Sequence, residues 1–182
     1  CRLRVSGEAG TEVSVIHAEL VKEDGSLEPG NINIYYKPLP GYEFQTDKYI
    51  LKGSGTEEWT PSFTYHGFRY AEVKTSVPMK LDKESLHALY FYTDQESAGT
   101  FECSNKLLDT LWNMTRRTFC NNFMSIPTDC PQREKNGWTA DAYLSQEIGL
   151  LNYDSILAYE KWLDDFIDNQ KESGQISGII PT

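Results

Sequence analysis

The chain has 182 residues, enough for one full domain or for two smaller ones. Its formal net charge of −10 argues against a nucleic-acid partner, which needs clustered lysine and arginine. No apolar run approaches the ~20 residues of a membrane span, and aromatic residues make up 13% of the chain, a composition typical of proteins that bind flat, partly apolar ligands.

Up to about residue 98 the sequence is typical of short β-strands. Six runs are rich in β-branched and aromatic residues, and several alternate between apolar and polar positions. These runs are LRVSG, EVSVIHAEL, NINIYY, KYILKG, FTYHGFRYAEV and HALYFYT. Turn sequences such as EDGS, PLPG and GSG separate them. Repeated short strands with no helix between them predict a β-sandwich.

From Ser104 onward the apolar spacing changes from that of strands to that of helices. Ser104 is the predicted N-cap of the first helix and Gly174 the predicted end of the third. The predicted helices cover residues 104–122, 139–151 and 154–172. The second is expected to bury Tyr143, Leu144, Ile148 and Leu151, and GQISGIIPT is expected to be a loop. The apolar faces need more partners than this chain supplies, which predicts the start of a larger helical domain.

The four cysteines contain no C-x-x-C pair, and no histidine stands at ligand spacing from any of them. This pattern does not predict a zinc site. Cys130 is a candidate nucleophile with one of His17, His66 or His87. The favoured interpretation is an unreactive buried or loop thiol.

The segment PTDCPQREKNGWTAD lies between the first two predicted helices and is long for a connection in a helical domain. Carboxylates with an arginine bind vicinal hydroxyls through charge-assisted hydrogen bonds, and an indole packs on the apolar face of a pyranose. This mixture indicates a sugar-binding site. The alternative is that Trp138 fills the core while Asp129, Glu134 and Asp141 are solvated or cap a helix.

The motifs TDCPQR, EKNGW and TAD are similar to the signature of the bacterial α-L-rhamnosidases of glycoside hydrolase family 78. HAEL, FTYHGFRYAEV and FECSNKLLDTLWN extend the resemblance over nearly the whole chain. The resemblance implies an α+β fold with two domains. Residues 1–98 would be a concanavalin-like antiparallel β-sandwich, and residues 99–182 would be the truncated start of a six-hairpin (α/α)6 barrel.

The resemblance also implies an inverting hydrolase that removes terminal α-linked L-rhamnose. Aligned from Trp138, Glu134 stands where the family has its general acid. Asp129, Arg133 and Asp141 would hold the sugar hydroxyls, and Trp138 would pack on the ring or its 6-methyl group. No metal or redox cofactor is implied. The general base would be a glutamate beyond residue 182, so the expected partners are a rhamnose-containing glycoside or polysaccharide and the remainder of the same chain.

Two alternatives are a six-hairpin glycosidase that acts on another sugar and a non-catalytic carbohydrate-binding or structural module. A pure binding module would have no need for an acid beside its aromatic side chain. A periplasmic or extracellular location is favoured over the cytoplasm.

Overall fold

The computed structural model describes residues 1–33 and 43–182. This part of the chain forms two compact units, Cys1–Tyr90 and Phe91–Thr182. The first unit is built mainly from strands and the second mainly from helices. The α+β class predicted from the sequence is therefore confirmed.

Six strands of the first unit form two small antiparallel sheets. They are β1 (Arg2–Ser6), β2 (Glu12–Ala18), β3 (Thr46–Ile50), β4 (Thr56–Trp59), β5 (Tyr70–Thr75) and β6 (Leu86–His87). One sheet has the order β4-β1-β6 and the other the order β3-β2-β5. Both central strands alternate between buried and more exposed residues, as a strand with one covered face does.

One apolar cluster contains residues from both sheets. Leu3 and Val5 come from β1, Val13 and Val15 come from β2, and Leu51 follows β3. All five side chains are buried. Fully burying a side chain of this size stabilises a fold by about 1.5–3 kcal/mol. This cluster is the apolar core to which both sheets of the first unit contribute.

Three of the predicted strands are wrong in whole or in part. The first three residues of NINIYY lie in the short helix α1 (Gly30–Asn33), and residues 34–36 lie outside the described part of the chain. In FTYHGFRYAEV the strand begins only at Tyr70, because Phe63 has a positive φ of 61° and the Gly67 carbonyl accepts a hydrogen bond from the Gln45 side chain. In HALYFYT the strand ends at His87, where β1 offers no further partner.

Strand β4 was not predicted, because its sequence TEEW is polar. Glu57 nevertheless points inward and is buried. Its carboxylate accepts hydrogen bonds from the Tyr49 hydroxyl at 2.8 Å and from the backbone amides of Lys52, Gly53 and Ser54. The amide of Lys52 is the first of several donors that hold the pKa of Glu57 below its usual value. A buried carboxylate with this many donors is compatible with a strand.

Three longer helices form most of the second unit. They are α2 (Lys106–Asn121), α3 (Thr139–Asn152) and α4 (Ile156–Asn169). All three were predicted, with differences at their ends. The N-cap of α2 is Asn105 and not Ser104, and the Asn105 side chain accepts a hydrogen bond from the Leu107 amide. Helix α4 ends at Asn169, and Gly174 forms a later turn in which its amide donates to the Lys171 carbonyl.

The buried face of α3 differs from the predicted one. Ala142 and Gly149 are its buried residues, and Leu144 is 78% exposed. Gly149 allows α2 and α3 to approach closely, because a Cβ there would lie 2.5 Å from the Phe119 ring. Tyr143 and Leu151 are also exposed. Within the described residues, no other apolar side chains cover these positions, although apolar helix faces of this width are normally buried against a neighbouring element.

A tiny hairpin separates α2 from the loop that contains the motif. Its strands are β7 (Phe123–Met124) and β8 (Ile126–Pro127), although no strand was predicted after residue 104. Ser125 forms the turn with a φ of 67°, and its amide donates to the Thr93 hydroxyl. The final segment, residues 174–182, contains no helix or strand, as predicted. In the described ranges, no helix has the length and apolar character needed to span a membrane.

Candidate active site

The loop that carries the motif is closed by hydrogen bonds within itself. The Asp129 amide donates to the Asn136 carbonyl at 3.0 Å, and the Asn136 amide donates to Asp129 Oδ1 at 2.9 Å. The Cys130 thiol donates to Asp129 Oδ2 at 2.9 Å. Both carboxylate oxygens of Asp129 therefore hold the loop in shape. Each oxygen can accept a second hydrogen bond.

Cys130 does not have the surroundings of a nucleophile. Burial is the main cause that raises the pKa of its thiol, and the Asp129 carboxylate raises it further. A raised pKa favours the neutral thiol, whereas the thiolate is the reactive form. The favoured interpretation of Cys130 as an unreactive loop thiol agrees with this environment.

Glu134, Arg133 and Trp138 lie together in the same loop. The indole Nε1 of Trp138 donates to Glu134 Oε2 at 2.8 Å. Arg133 Nη2 lies 3.4 Å from the other carboxylate oxygen, Oε1. The side chain of Glu134 is 37% exposed, and so is Trp138. The structure thus places a solvent-accessible carboxylate between a cation and an aromatic hydrogen-bond donor.

The backbone around Trp138 is held by the segment that comes near the end of the chain. The Thr139 amide donates to the Gly178 carbonyl at 2.9 Å, and the Ile180 amide donates to the Gly137 carbonyl at 2.9 Å. A Cβ on Gly137 would lie only 1.9 Å from the Ile180 carbonyl oxygen. Glycine is therefore required at position 137 by the close approach of this segment.

Asp141 lies in the first turn of α3, where the helix dipole favours a negative charge. Its side chain is exposed, and Trp138 occupies the N-cap position of the same helix. The indole is not buried, so Trp138 does not fill the core. The structure brings Arg133, Glu134 and Trp138 into direct contact, and it places Asp129 in the loop closure.

Gly137 and Asn136 shape the site but were not among the residues predicted from the sequence. Asn136-Gly137 is a dipeptide typical of turns, which could have indicated a tight backbone here. Their partners Ile180 and Asp129 could not be found by the same signal, because nothing in the local sequence connects these positions.

A cavity of about 460 Å³ lies elsewhere in the second unit. Its wall is formed by Phe91, Tyr92, Thr93, Met124, Ser125, Ala158 and Lys161. None of the five predicted site residues lines it. Its walls are mostly apolar, and the Lys161 ammonium is bonded to the Asp165 carboxylate. None of its lining residues carries a carboxylate, in contrast to the loop that contains Asp129 and Glu134.

One group of metal-ligand type lies in the first unit. His17, Asp47 and His66 have potential ligand atoms within 4.8 Å of one another. However, the two imidazole rings are stacked, with centroids 4.3 Å apart and planes inclined by 22°. An imidazole binds a metal ion in its own plane, along a nitrogen lone pair. Rings so nearly parallel do not direct two lone pairs at one ion.

The same group contains a buried hydrogen bond between His66 and Asp47 beside a neutral histidine. His66 Nε2 lies 2.9 Å from Asp47 Oδ1, and both side chains are nearly buried. Burial tends to raise the Asp47 pKa, but the hydrogen bond and charge of His66 outweigh it and lower that pKa. Burial, followed by the charge of His66, lowers the pKa of His17 to about 4. His17 is thus neutral at neutral pH.

Comparison with known proteins gives the family. Residues 1–92 match the model of the bacterial alpha-L-rhamnosidase concanavalin-like domain, and residues 96–182 match that of the bacterial alpha-L-rhamnosidase six-hairpin glycosidase domain. The chain is 38% identical over 165 residues to an alpha-L-rhamnosidase of Formosa agariphila, which covers 90% of this chain and 17% of that protein. It is 36% identical over 181 residues to one of Streptomyces avermitilis, with coverage of 99% and 17%.

Solved structures agree with these matches. An alpha-L-rhamnosidase from Dictyoglumus thermophilum is similar with a TM-score of 0.85 and 42% identity, over 99% of this chain and 20% of that one. The Streptomyces avermitilis alpha-L-rhamnosidase complexed with L-rhamnose is similar with a TM-score of 0.84 and 35% identity, over 100% and 17%. The chain thus spans about a fifth of the length of the relatives it matches. On these matches, which confirm the resemblance seen in its motifs, the chain belongs to the bacterial α-L-rhamnosidase family.

Proposed function

We propose that this chain is part of a longer inverting glycoside hydrolase that removes terminal α-linked L-rhamnose from glycosides or polysaccharides. The observation that carries the proposal is the contact of Glu134 with Trp138 and Arg133, in which Glu134 and Trp138 are both solvent-accessible. This loop lies within the residues that match the six-hairpin glycosidase domain. The two alpha-L-rhamnosidase relatives and the structure complexed with L-rhamnose support the choice of sugar.

In the proposed reaction Glu134 is the general acid. Its proton passes to the glycosidic oxygen while the bond from that oxygen to the anomeric carbon breaks, and the bonding electrons remain on the leaving oxygen. A water molecule attacks the anomeric carbon from the opposite face and gives its proton to a second carboxylate. In inverting enzymes the two carboxyl groups are ~6.5–9.5 Å apart, which leaves room for this water. We propose that the base is supplied by sequence beyond residue 182.

The other site residues would bind the sugar. Arg133 and Asp141 offer charged groups for its hydroxyls, and the exposed indole of Trp138 offers a flat apolar surface for the ring or its methyl group. Asp129 would accept a sugar hydroxyl through the lone pairs that Asn136 and Cys130 do not use. Protonation by a side chain and binding by hydrogen bonds require no metal or redox cofactor.

We propose the domain arrangement on the same basis. Residues 1–98 would form a β-sandwich, supported by the apolar cluster that the two sheets share. Residues 99–182 would begin an (α/α)6 barrel, supported by three helices whose apolar faces are largely uncovered in the described part of the chain. The remainder of the same chain would be their partner.

The test compares leaving groups in the full-length protein. A general acid matters most when the leaving oxygen is basic, so Glu134→Gln is expected to lower kcat/KM on natural rhamnosides by roughly 10²–10⁴. On a nitrophenyl rhamnoside, whose leaving group departs as an anion, the loss is expected to be much smaller. Equal losses on both substrates would contradict the assignment of the acid and make Asp129 the next candidate.

Asp129→Asn and Asp141→Asn are the matched comparisons. If these residues hold the sugar, each variant is expected to lower kcat/KM by a similar factor on both substrates. Thermal unfolding is measured for all three variants. A purely structural role would lower stability and leave the kinetics of the folded fraction unchanged.

A further inference from the structure

We infer that Trp138 is a positioning residue for Glu134: its indole N–H donates a hydrogen bond to Oε2, so that the transferable proton is carried by Oε1. The inference rests on the proposed role of Glu134 as general acid. It adds a second task to a side chain whose ring face is proposed to contact the sugar. The two tasks are compatible, because the N–H lies at the edge of the indole and the sugar would contact its face.

The contacts of the two carboxylate oxygens are unequal. Oε2 accepts the indole N–H at 2.8 Å, within the usual range for a hydrogen bond. Oε1 has the longer contact, 3.4 Å to Arg133 Nη2. In a protonated carboxyl group the carbonyl oxygen is the better acceptor and the other oxygen carries the hydrogen. The indole thus selects Oε2 as the carbonyl oxygen and Oε1 as the proton donor.

The same hydrogen bond favours the transition state over the ground state. When the proton leaves Oε1 for the glycosidic oxygen, Glu134 changes from a neutral acid to a carboxylate. Hydrogen bonds to an ionised acceptor are roughly twice as strong as those between neutral groups. The bond from Trp138 therefore strengthens as the proton is transferred, and an interaction that strengthens along the reaction increases the rate.

The donor is held in place before the reaction begins. The backbone on either side of Trp138 is bonded to the segment at residues 178–180, through the Gly137 carbonyl and the Thr139 amide. Trp138 itself forms an isolated β-bridge with Ile179. A donor fixed in this way does not need to reorganise when charge develops on Glu134.

The experiment removes the N–H and keeps the shape of the ring. In the full-length protein, Trp138 is replaced by 3-benzothienylalanine, in which sulfur stands in place of the indole N–H. We expect kcat/KM to fall about tenfold on a rhamnoside with an alkyl leaving group and less than about twofold on a nitrophenyl rhamnoside. The inhibition constant of free L-rhamnose should not change. Trp138→Phe, which also lacks the N–H, should show the same dependence on the leaving group.

A double-variant cycle tests whether Trp138 acts through Glu134. In the Glu134→Gln background, the benzothienylalanine replacement is expected to cause no further loss on the alkyl rhamnoside. The same replacement of Trp59, which stacks on Tyr49 in the first unit, is the control and should leave all kinetic constants unchanged.

Two outcomes would overturn the inference. An equal loss on both leaving groups would mean that Trp138 only holds the sugar, and no loss would mean that the hydrogen bond has no role in proton transfer. Either result is compatible with a leaving-group-dependent loss in Glu134→Gln, so the inference can fail while the proposed function stands. If Glu134→Gln shows no such dependence, the assignment of Glu134 as the general acid fails, and this inference fails with it.

Discussion

The two units of this chain bury their apolar residues to very different degrees. In the first unit the apolar side chains of the central strands are covered, and Leu3 is only 1% exposed. In the second unit long rows of leucine and isoleucine on the helices are uncovered, and Leu157 is 77% exposed. Because uncovered apolar rows of this extent are rare on protein surfaces, the difference supports the proposal that the second unit is part of a larger helical domain.

The largest expected effect of this difference is on activity. The purified 182-residue chain is expected to show no turnover of an aryl α-L-rhamnoside, because we propose that the general base and most of the barrel belong to sequence it lacks. It is also expected to associate through its uncovered helix faces. Activity measurement and light scattering test both points. Steady turnover by a monomeric chain would contradict the proposed arrangement.

A pair of leucine substitutions measures the contrast directly. Leu3→Ala in the isolated chain is expected to lower the free energy of unfolding by about 2–5 kcal/mol, because it leaves a cavity in a closed core. Leu157→Ala in the same chain, measured at a concentration at which the chain is monomeric, is expected to change it by less than about 0.5 kcal/mol, because the side chain is then in water. Denaturant unfolding gives both values.

The full-length protein provides the control for this pair. If α4 is covered there by the remainder of a barrel, Leu157→Ala should cost several times more in the full-length protein than in the isolated chain. The same small cost in both contexts would show that this helix face is exposed in the complete protein.

The contrast also explains what could be predicted from the sequence. Apolar spacing depends on local geometry, so it predicted all three long helices, strands β1, β2 and β3, and part of β5. It failed where hydrogen bonds with other segments of the chain determine whether a segment forms a strand. TEEW forms a strand because Tyr49 and three backbone amides satisfy Glu57. The first half of FTYHGFRYAEV is irregular because Gln45 and Asp47 bind it.

The candidate site shows the same division. The composition of the loop indicated a sugar site, and the spacing of Glu134 and Trp138 matches their hydrogen bond. That Asp129 closes the loop, and that Gly137 leaves room for the Ile180 carbonyl, depends on contacts between segments. Neither spacing nor composition contains that information.

Acid should affect the first unit through its buried histidine. The His17 pKa is lowered to about 4, mainly by burial, whereas a histidine in the unfolded chain has a pKa of about 6.5. Between these values the unfolded state binds a proton that the folded state does not, so stability is lost as pH falls. The expected slope approaches 1.4 kcal/mol per pH unit at most.

Unfolding of the first unit, followed between pH 7 and pH 4, about the range set by these two pKa values, measures this loss. His17→Met is expected to reduce the slope, because methionine cannot take up a proton. His87→Gln is the control, since the His87 side chain is partly exposed and contacts Glu84, and this variant should retain the acid-induced loss. An unchanged slope in His17→Met would mean that other groups cause it.

The most specific expected effects on function concern two crowded glycines. A Cβ on Gly53 would lie 2.7 Å from the Ala9 amide nitrogen, in a backbone with φ of 78°, and a Cβ on Gly137 would lie 1.9 Å from the Ile180 carbonyl oxygen. Either substitution by alanine is expected to cost about 1–3 kcal/mol, because the neighbouring backbone must move.

The consequences of these two substitutions for catalysis should differ. Gly53→Ala lies in the unit with its own core, so kcat in the folded full-length protein should not change. Gly137→Ala displaces the backbone that directs Trp138 towards Glu134, so kcat on an alkyl rhamnoside should fall, and more than on a nitrophenyl rhamnoside. Gly178→Ala is the control within the same segment, since its Cβ would meet only the Trp138 ring at 3.9 Å, and both stability and kcat should be nearly unchanged. If Gly53→Ala and Gly137→Ala lowered kcat equally, the separation between a unit that supports the fold and a unit that carries the site would be wrong.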